Sequence, residues 1–392
     1  MEKLFLKKLL KSIFSDTFEV QFWDKTTEKF GDGDIKFKII INEPLSKCDI
    51  LKDPFLTFGE AYMNNVIDFE GNIREIIESV YKNKDSFINK ASLFEKLYKV
   101  TPHSIKNSKQ DIHYHYDLGN DFYKLWLDET MIYSCAYFKS PEDSLYKAQT
   151  NKVEHILKKL NLHSKQTLLD IGCGWGELII TAAQKYGVKS LGITLSEEQF
   201  NKVNERIKEN NLENQVEVRL VDYRDLLKTG EKFHRIVSVG MLEHVGRKNI
   251  PIYMDNVNNL LEENGLSLLH CITAQTESEV NQWIKKYIFP GGYIPSIREL
   301  VYNMPENGLH LIDVESLRLH YGKTLEHWAK NFENSLDKVS EMGFDDKFIR
   351  MWRLYLNSCA ASFNYGVIDL HQFVFTKGLN NELPMTRDYL YK

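Results

Sequence analysis

Apolar and polar residues repeat with different periods along this 392-residue chain, and the period changes near residue 142. From 18 to 42 the repeat is two: Phe18, Val20 and Phe22, then Ile35, Phe37 and Ile39, with Gly31 and Gly33 between them. Successive side chains of a strand face opposite ways, so this predicts a small β-hairpin unit. Helical patterns follow to about Tyr98. TPHSIKNSKQ (101–110) is polar and unperiodic and reads as a linker. At the start, MEKLFLKKLLKSIF places Leu6, Leu9, Leu10, Ile13 and Phe14 on one helical face, with Lys3, Lys7 and Lys11 elsewhere. Such a basic amphipathic helix either packs on its own domain or lies on an anionic bilayer.

Beyond 142, helix and strand patterns alternate. PEDSLYKAQTNKVEHILKKL reads as a helix, TLLDIG (167–172) as a buried strand, and GELIITAAQKYG as a helix closed by Gly187. KSLGIT (189–194) is a second strand, followed by the helix SEEQFNKVNERIKENN, where Ser196 and Gln199 have capping-box spacing. VEVRLV (216–221), RIVSVG (235–240) and LSLLHCIT (266–273) are further strands. The tail adds helices near 324–338 and 345–364 and a strand around 371–378. Alternation of this kind predicts an α/β fold with a doubly wound, Rossmann-like parallel sheet. We expect a smaller N-terminal α+β domain over residues 1–100 and a main domain over 101–392.

Length suits two domains. The chain is 43% hydrophobic and 27% charged, as globular proteins are. A net charge of −5 lacks the basic footprint of a nucleic-acid binder. The five cysteines, Cys48, Cys135, Cys173, Cys271 and Cys359, are odd in number and contain no CxxC. That fits a reducing, cytoplasmic compartment. No run of about 18 apolar residues predicts a transmembrane helix. Lys7 and Lys8 interrupt the N-terminal apolar run, which argues against a signal peptide.

The chemistry starts at DIGCGWG (170–176), which follows a strand and opens a helix. Gly172, Gly174 and Gly176 are spaced GxGxG. Glycine permits a tight turn and close backbone approach to a ligand. S-adenosylmethionine enzymes often carry an acid at the position of Asp170. Dinucleotide enzymes use a related loop, and a purely structural turn is a third reading. Dinucleotide sites usually end the second strand with an acid, but Thr194 stands there in GITLSEEQ. Thr194 and Gln199 can still hydrogen-bond a ribose.

Several ordered segments make the pattern specific: HYDLGNDFY (115–123), MIYSCAYF (131–138), DIGCGWG, GITLSEEQ, GMLEHVG (240–246), LLHCI (268–272) and KYIFPGGYIP (286–295). FGEAYM (58–63) extends it towards the N-terminus. Together they resemble the cyclopropane-fatty-acyl-phospholipid synthase family, which includes the mycolic acid cyclopropane synthases. The resemblance covers about residues 55–380. It implies an S-adenosylmethionine-dependent methyltransferase fold and methyl transfer to a cis double bond of a phospholipid acyl chain. It implies cofactor contacts at Tyr133, Ser134, Asp170, Gly172, Gly174, Thr194, Ser196 and Gln199, with Asp222, Tyr223 and Arg224 flanking the adenine end. It also implies a bound bicarbonate, held by Cys135, Glu243, His270, the backbone of Ile272, and Tyr321. Family members are often dimeric, so a homodimer is a further expectation, as is peripheral contact with the inner face of the membrane.

An isolated alkene is a weak nucleophile, so the reacting methyl must be held in line. Such positioning contributes on the order of 7–11 kcal/mol. Methyl transfer leaves a carbocation, which water would trap, and deprotonation closes the ring. Bicarbonate is the implied base. Tyr137, Phe138, Tyr287, Phe289 and Tyr293 are candidates to face the cation. Each residue also has a bland reading: ring packing for the aromatics, a helix-terminus contact for Glu243, a satisfied core histidine for His270, a small buried hydrophobe for Cys135. His113 and His115 share a strand face, but no further ligands stand at suitable spacing, so no metal is expected. Rival readings are a methyltransferase acting on another acceptor, a non-catalytic lipid- or cofactor-binding protein, and a dinucleotide oxidoreductase.

Overall fold

The computed structural model describes residues 2–83 and 118–391. The expected linker at 101–110 and the pair His113 and His115 lie outside them. The chain divides into two compact units. The first joins the described part of Met1–Val100 to Ser278–Pro290 and Gly322–Val367. The second takes the described part of Thr101–Glu277 with Gly291–Tyr321 and Ile368–Lys392. Two later segments thus fold with the N-terminal part, beyond the 1–100 expected.

The first unit is built on a four-stranded sheet of β1 (Phe18–Gln21), β2 (Thr27–Phe30), β3 (Phe37–Ile41) and β4 (Ile67–Glu70), in the order β2-β1-β3-β4. Here the hairpin differs from expectation. β1 turns back onto β2, with Phe18 opposite Phe30, whereas β3 runs parallel to β1. TEKF buries only Phe30 fully, as an edge strand does, so alternation alone does not reveal it. The Phe18 ring stacks between Phe30 at 5.0 Å and Phe37 at 5.4 Å. Helix Glu2–Ile13 buries Leu6, Leu9, Leu10 and Ile13 in this same core. Its apolar face is therefore engaged within its own unit. Lys3 pairs with Asp24 and Lys7 with Glu28, while Lys8 and Lys11 are exposed.

Long-range ties explain why late segments belong here. Arg350, buried in helix Asp346–Asn364, donates to the carbonyls of Tyr62 at 2.5 Å and Ile67 at 2.8 Å. Trp283 lies against Gly59 of the FGEAYM segment and donates to Met63 Sδ at 3.2 Å.

The second unit carries a seven-stranded sheet: β5 (Thr167–Ile171), β6 (Lys189–Thr194), β7 (Val216–Leu220), β8 (Phe233–Val239), β9 (Leu261–Thr273), β10 (Leu309–Ser316) and β11 (Asp369–Lys377). The order is β10-β11-β9-β8-β5-β6-β7. From β9 to β7 all pairs are parallel; β11 is antiparallel to β9, and β10 to β11. Leu168 and Leu169 enter different apolar clusters, so neighbouring residues of one strand serve opposite faces. This is the α/β architecture that the sequence predicts. β10 is an addition: it mixes polar and apolar residues and is half-exposed, which hides it in the sequence. No helix among the described residues is long and apolar enough to cross a membrane.

A Cβ on Gly59 would stand 2.4 Å from the Trp283 ring. Gly59→Val should therefore displace Trp283 and destabilise the protein by about 1–3 kcal/mol, read as a lower midpoint in chemical denaturation. An unchanged midpoint would show the indole to be loosely seated.

Candidate active site

Strand order reverses at β5, between β8 and β6, and parallel sheets bind ligands beyond their carboxyl ends at such a point. There a cavity of about 160 Å³ opens in the second unit. Its floor is the loop after β5. Gly172 (φ +85°), Gly174 (φ +54°) and Gly176 (φ +84°) all adopt left-handed backbone. A Cβ on Gly172 would meet Met241 Cγ at 3.0 Å, while Gly174 faces open space. The Gly172 and Cys173 amides both donate to the Ile193 carbonyl at 3.0 Å, fixing the loop onto β6.

Tyr133, Ser134, Asp170, Gly172, Gly174, Thr194, Gln199, Asp222, Tyr223 and Arg224 all line this cavity. Ser196 does not. Its hydroxyl accepts from the Gln199 amide at 3.3 Å and caps helix Glu197–Glu209. Thr194 Oγ1 accepts from the Ser196 amide and donates to Gln199 Oε1 at 2.8 Å. These bonds orient Gln199 and leave its NH2 end for a ligand. Asp222 is engaged on both oxygens by Arg224, at 2.8 and 2.6 Å. Asp170 is the opposite case: it is buried, and its Oδ1 has no partner among the described residues. Burial pushes its carboxyl up to about 7, and the nearby Lys152 offsets this only in part.

The other five expected residues do not line the cavity; Glu243, His270 and Ile272 meet at the end of β9, and Cys135 and Tyr321 both contact the Leu317 carbonyl. Glu243 lies in the 3-10 turn Leu242–His244, two residues beyond the lining Met241. Its Oε1 accepts from the Ile272 amide at 2.7 Å. In this structure the Ile272 N–H, expected to face an anion, is bonded to Glu243. Glu243 Oε2 is enclosed and has no partner among the described residues. Burial pushes this carboxyl up to about 7, against the pull of the Ile272 bond.

His270 lies two residues before Ile272 on β9. Gln372, directly opposite on β11, donates from Nε2 to His270 Nδ1 at 3.0 Å. That bond puts the ring proton on Nε2, which is buried and has no partner among the described residues. Burial holds His270 well below the usual histidine range, with Lys152 adding to the effect, so the ring is neutral. Cys135 is fully buried, with its thiol 3.2 Å from the Ala136 carbonyl and 3.9 Å from that of Leu317. Tyr321 is half-buried in the first turn of helix Arg318–Glu333, its amide bonded to the Leu317 carbonyl. The cysteines form no disulfide. Among the described residues no group of three or more His, Cys, Asp or Glu is placed to hold a metal ion.

None of the five candidate aromatics lines the cavity. Tyr137 is stacked on both faces, by His155 at 4.2 Å and His320 at 4.7 Å. Within the first unit, Tyr287 donates to Glu60 and Phe289 packs on Tyr355. Tyr293 donates to Glu299 through its hydroxyl, and its amide donates to the Glu243 carbonyl at 2.9 Å, which steadies the 3-10 turn.

The sequence reading missed Lys152 and Gln372. Lys152 carried no signal beyond its place on a helix whose neighbouring turns are apolar. Gln372 depends on the β9–β11 register, which no local pattern encodes.

A family model described as mycolic acid cyclopropane synthetase matches residues 103–373. This chain belongs to that family. A second model, of a domain of unknown function, matches residues 5–92. A probable fatty acid methyltransferase of Pseudomonas putida is 37% identical over 382 residues, covering 95% of this chain and 96% of its own. The cyclopropane-fatty-acyl-phospholipid synthase of Escherichia coli is 41% identical over 274 residues, 70% of this chain and 69% of that protein. The crystal structure of mycolic acid cyclopropane synthase CmaA1 complexed with SAH and CTAB is 33% identical. It covers 71% of this chain and 99% of its own, with a TM-score of 0.65. The protein is an S-adenosylmethionine-dependent methyltransferase of the cyclopropane synthase family. Its residues fit that cofactor: a left-handed glycine turn, an unpartnered buried Asp170, and Gln199 with a hydrogen-bonding end turned to the cavity.

Two outcomes follow. Gly174→Val forces a β-branched residue into φ +54° and fills the cavity, so S-adenosylhomocysteine binding by calorimetry should drop below detection. Unchanged affinity would place the cofactor elsewhere. Second, Glu243 and Asp170 move from ordinary values of 4.5 and 3.8 to about 7 on folding. Between those limits the folded, ligand-free protein binds more protons than the unfolded chain, so its stability falls as pH rises from about 4.5 to 7. Melting temperatures across that window should decline in the wild type and decline less in Glu243→Gln. A parallel course for the two proteins would count against a buried, proton-holding Glu243.

Proposed function

We propose that this enzyme transfers the methyl group of S-adenosylmethionine to the cis double bond of an unsaturated phospholipid acyl chain and completes a cyclopropane ring. The observation carrying this reading is that two polar atoms at the carboxyl end of β8 and β9, Glu243 Oε2 and His270 Nε2, are each enclosed and without a partner among the described residues. A methyltransferase acting on an amine or hydroxyl must also dispose of a proton, but it takes that proton from nitrogen or oxygen, where water can serve as the acceptor. An alkene acceptor leaves a carbon cation that must lose a proton, and a protected basic site is then required.

The two groups suit a small oxyanion with an acidic hydroxyl. His270 Nε2–H, oriented by Gln372, is a donor. Glu243, held near neutrality by burial and fixed by the Ile272 amide, accepts a hydrogen bond when ionised and donates one when protonated. Bicarbonate matches both requirements, and there it would supply a weak base unable to form a stable covalent adduct with the lipid. In this reading Tyr321 and the Cys135 segment complete the anion's surroundings. Tyr133, Ser134, Asp170, Gly172, Gly174, Thr194 and Gln199 hold the cofactor, with Asp222, Tyr223 and Arg224 at its adenine end and Ser196 acting through Gln199. The cofactor supplies an electrophilic methyl. The protein's part is alignment, exclusion of water and removal of the proton.

The acceptor chain resides in a bilayer, so the enzyme works at the inner membrane surface by peripheral contact from the cytoplasm. The exposed Lys8 and Lys11 could contribute to this contact by charge; the apolar face of their helix is engaged in its own core. A homodimer remains the family-based expectation.

Expression in a bacterial host lacking cyclopropane lipids should yield fatty acids 14 mass units heavier than their monounsaturated precursors and lacking the double bond. Glu243→Gln should bind S-adenosylhomocysteine within about threefold of wild type yet lose ring formation by 10²-fold or more, as expected on removal of an acid–base group. Saturated or unsaturated branched methyl products in place of rings would overturn the ring-closing assignment.

A further inference from the structure

Five residues with ordinarily charged carboxylate, ammonium or guanidinium groups line the cofactor cavity: Lys152, Asp170, Glu177, Asp222 and Arg224. Three are matched. Asp222 pairs with Arg224, and Glu177 pairs with Arg206 behind the wall. Lys152 and Asp170 are left. Both are about 3% exposed, yet they form no ion pair with each other or with any other described residue. A buried ammonium and a buried carboxyl, of opposite sign on one small wall, match the two ends of a zwitterion.

The position of Lys152 is built. It lies on helix Leu145–Lys159, one turn after Gln149, whose Nε2 donates to the carbonyls of Ser134 at 2.9 Å and Ile132 at 3.4 Å. Lys152 Nζ donates to Ser134 Oγ at 2.9 Å. That bond occupies an acceptor position of the hydroxyl, so the Ser134 O–H proton is available to donate. Two further N–H groups of the ammonium are unused. The result is a cluster of donors with no acceptor in the protein. Burial lowers the Lys152 ammonium to about 8, and Cys135, Asp128, Asp170 and Glu177 lie close enough to keep it from falling further. It remains mostly charged at neutral pH.

We propose that Lys152, with the Ser134 hydroxyl, is the seat for the carboxylate of the cofactor's amino-acid end, while Asp170 takes the α-ammonium. This rests on the reading of the cavity as the S-adenosylmethionine site. The seat would fix the amino-acid end by charge and thereby set where the sulfonium lies relative to Glu243.

Calorimetric titration with S-adenosylmethionine and with its decarboxylated analogue separates the ideas, because the two ligands share the adenosine, sulfonium and amine and differ in the carboxylate. Wild type should prefer the intact cofactor. Lys152→Met, close in shape, should weaken S-adenosylmethionine binding by roughly 10- to 100-fold, as loss of a charged hydrogen bond does, and change binding of the analogue by less than about threefold. Lys152→Arg should restore part of the preference. Ser134→Ala should show a smaller loss of the same selectivity, and it keeps the test alive if the Met variant melts early. Equal losses for both ligands would mean that Lys152 merely supports the wall, and an undiminished preference would remove it from recognition; either result overturns the proposal. Failure of the wild type to bind either ligand would instead overturn the reading of the cavity itself.

Discussion

A polar group sealed inside a protein without a hydrogen-bond partner costs about 1–3 kcal/mol, and more if it is charged. The second unit keeps three such groups, Asp170 Oδ1 on the cavity wall and Glu243 Oε2 and His270 Nε2 near the end of β9, and beside Asp170 it buries the Lys152 ammonium with a single bond, to Ser134, and no ion pair among the described residues. Three of these side chains are held by other contacts that prevent escape. Ile272 grips the second Glu243 oxygen, Gln372 fixes the His270 ring, and Ser134 receives Lys152. A bound ligand offsets such a cost: on the cavity wall that ligand is the methyl-donor cofactor, and near β9 the proposed one is a small oxyanion.

The parallel sheet makes the arrangement possible. Because β5, β6, β8 and β9 run in one direction, their carboxyl ends bring Asp170, Thr194, Met241 and the end of β9 to one edge. The Gly240 amide donates to the His270 carbonyl at 2.8 Å, so the turn carrying Glu243 leaves β8 directly beside His270. The antiparallel β11 then adds Gln372 across from His270. A sheet lacking β11 would have no oriented histidine.

Much of this was legible in the residues. Strand boundaries from β5 to β9 follow from buried apolar runs, and the glycine turn follows from spacing and context. The residues expected to hold an anion came from the ordered family segments, since a lone buried Glu or His has an equally good structural reading. What escaped was set by tertiary register or by edge exposure. β2 and β10 are half-polar edge strands, so their alternation is weak. Gln372 acquires its meaning only when paired with His270. Tyr137 looked like a free aromatic face, but His155 and His320 cover both sides of the ring. The N-terminal helix had two readings, and the structure engages its apolar face in the core of the first unit.

The central claim is that Glu243 and His270 are held apart from other partners in order to grip a small oxyanion beside the cofactor. A high-resolution crystal structure grown with S-adenosylhomocysteine and bicarbonate tests it most directly. A planar three-oxygen species within hydrogen-bonding distance of both Glu243 Oε2 and His270 Nε2 is the predicted result. A well-ordered cofactor with those two atoms bonded to each other, or turned to other protein groups, would contradict it.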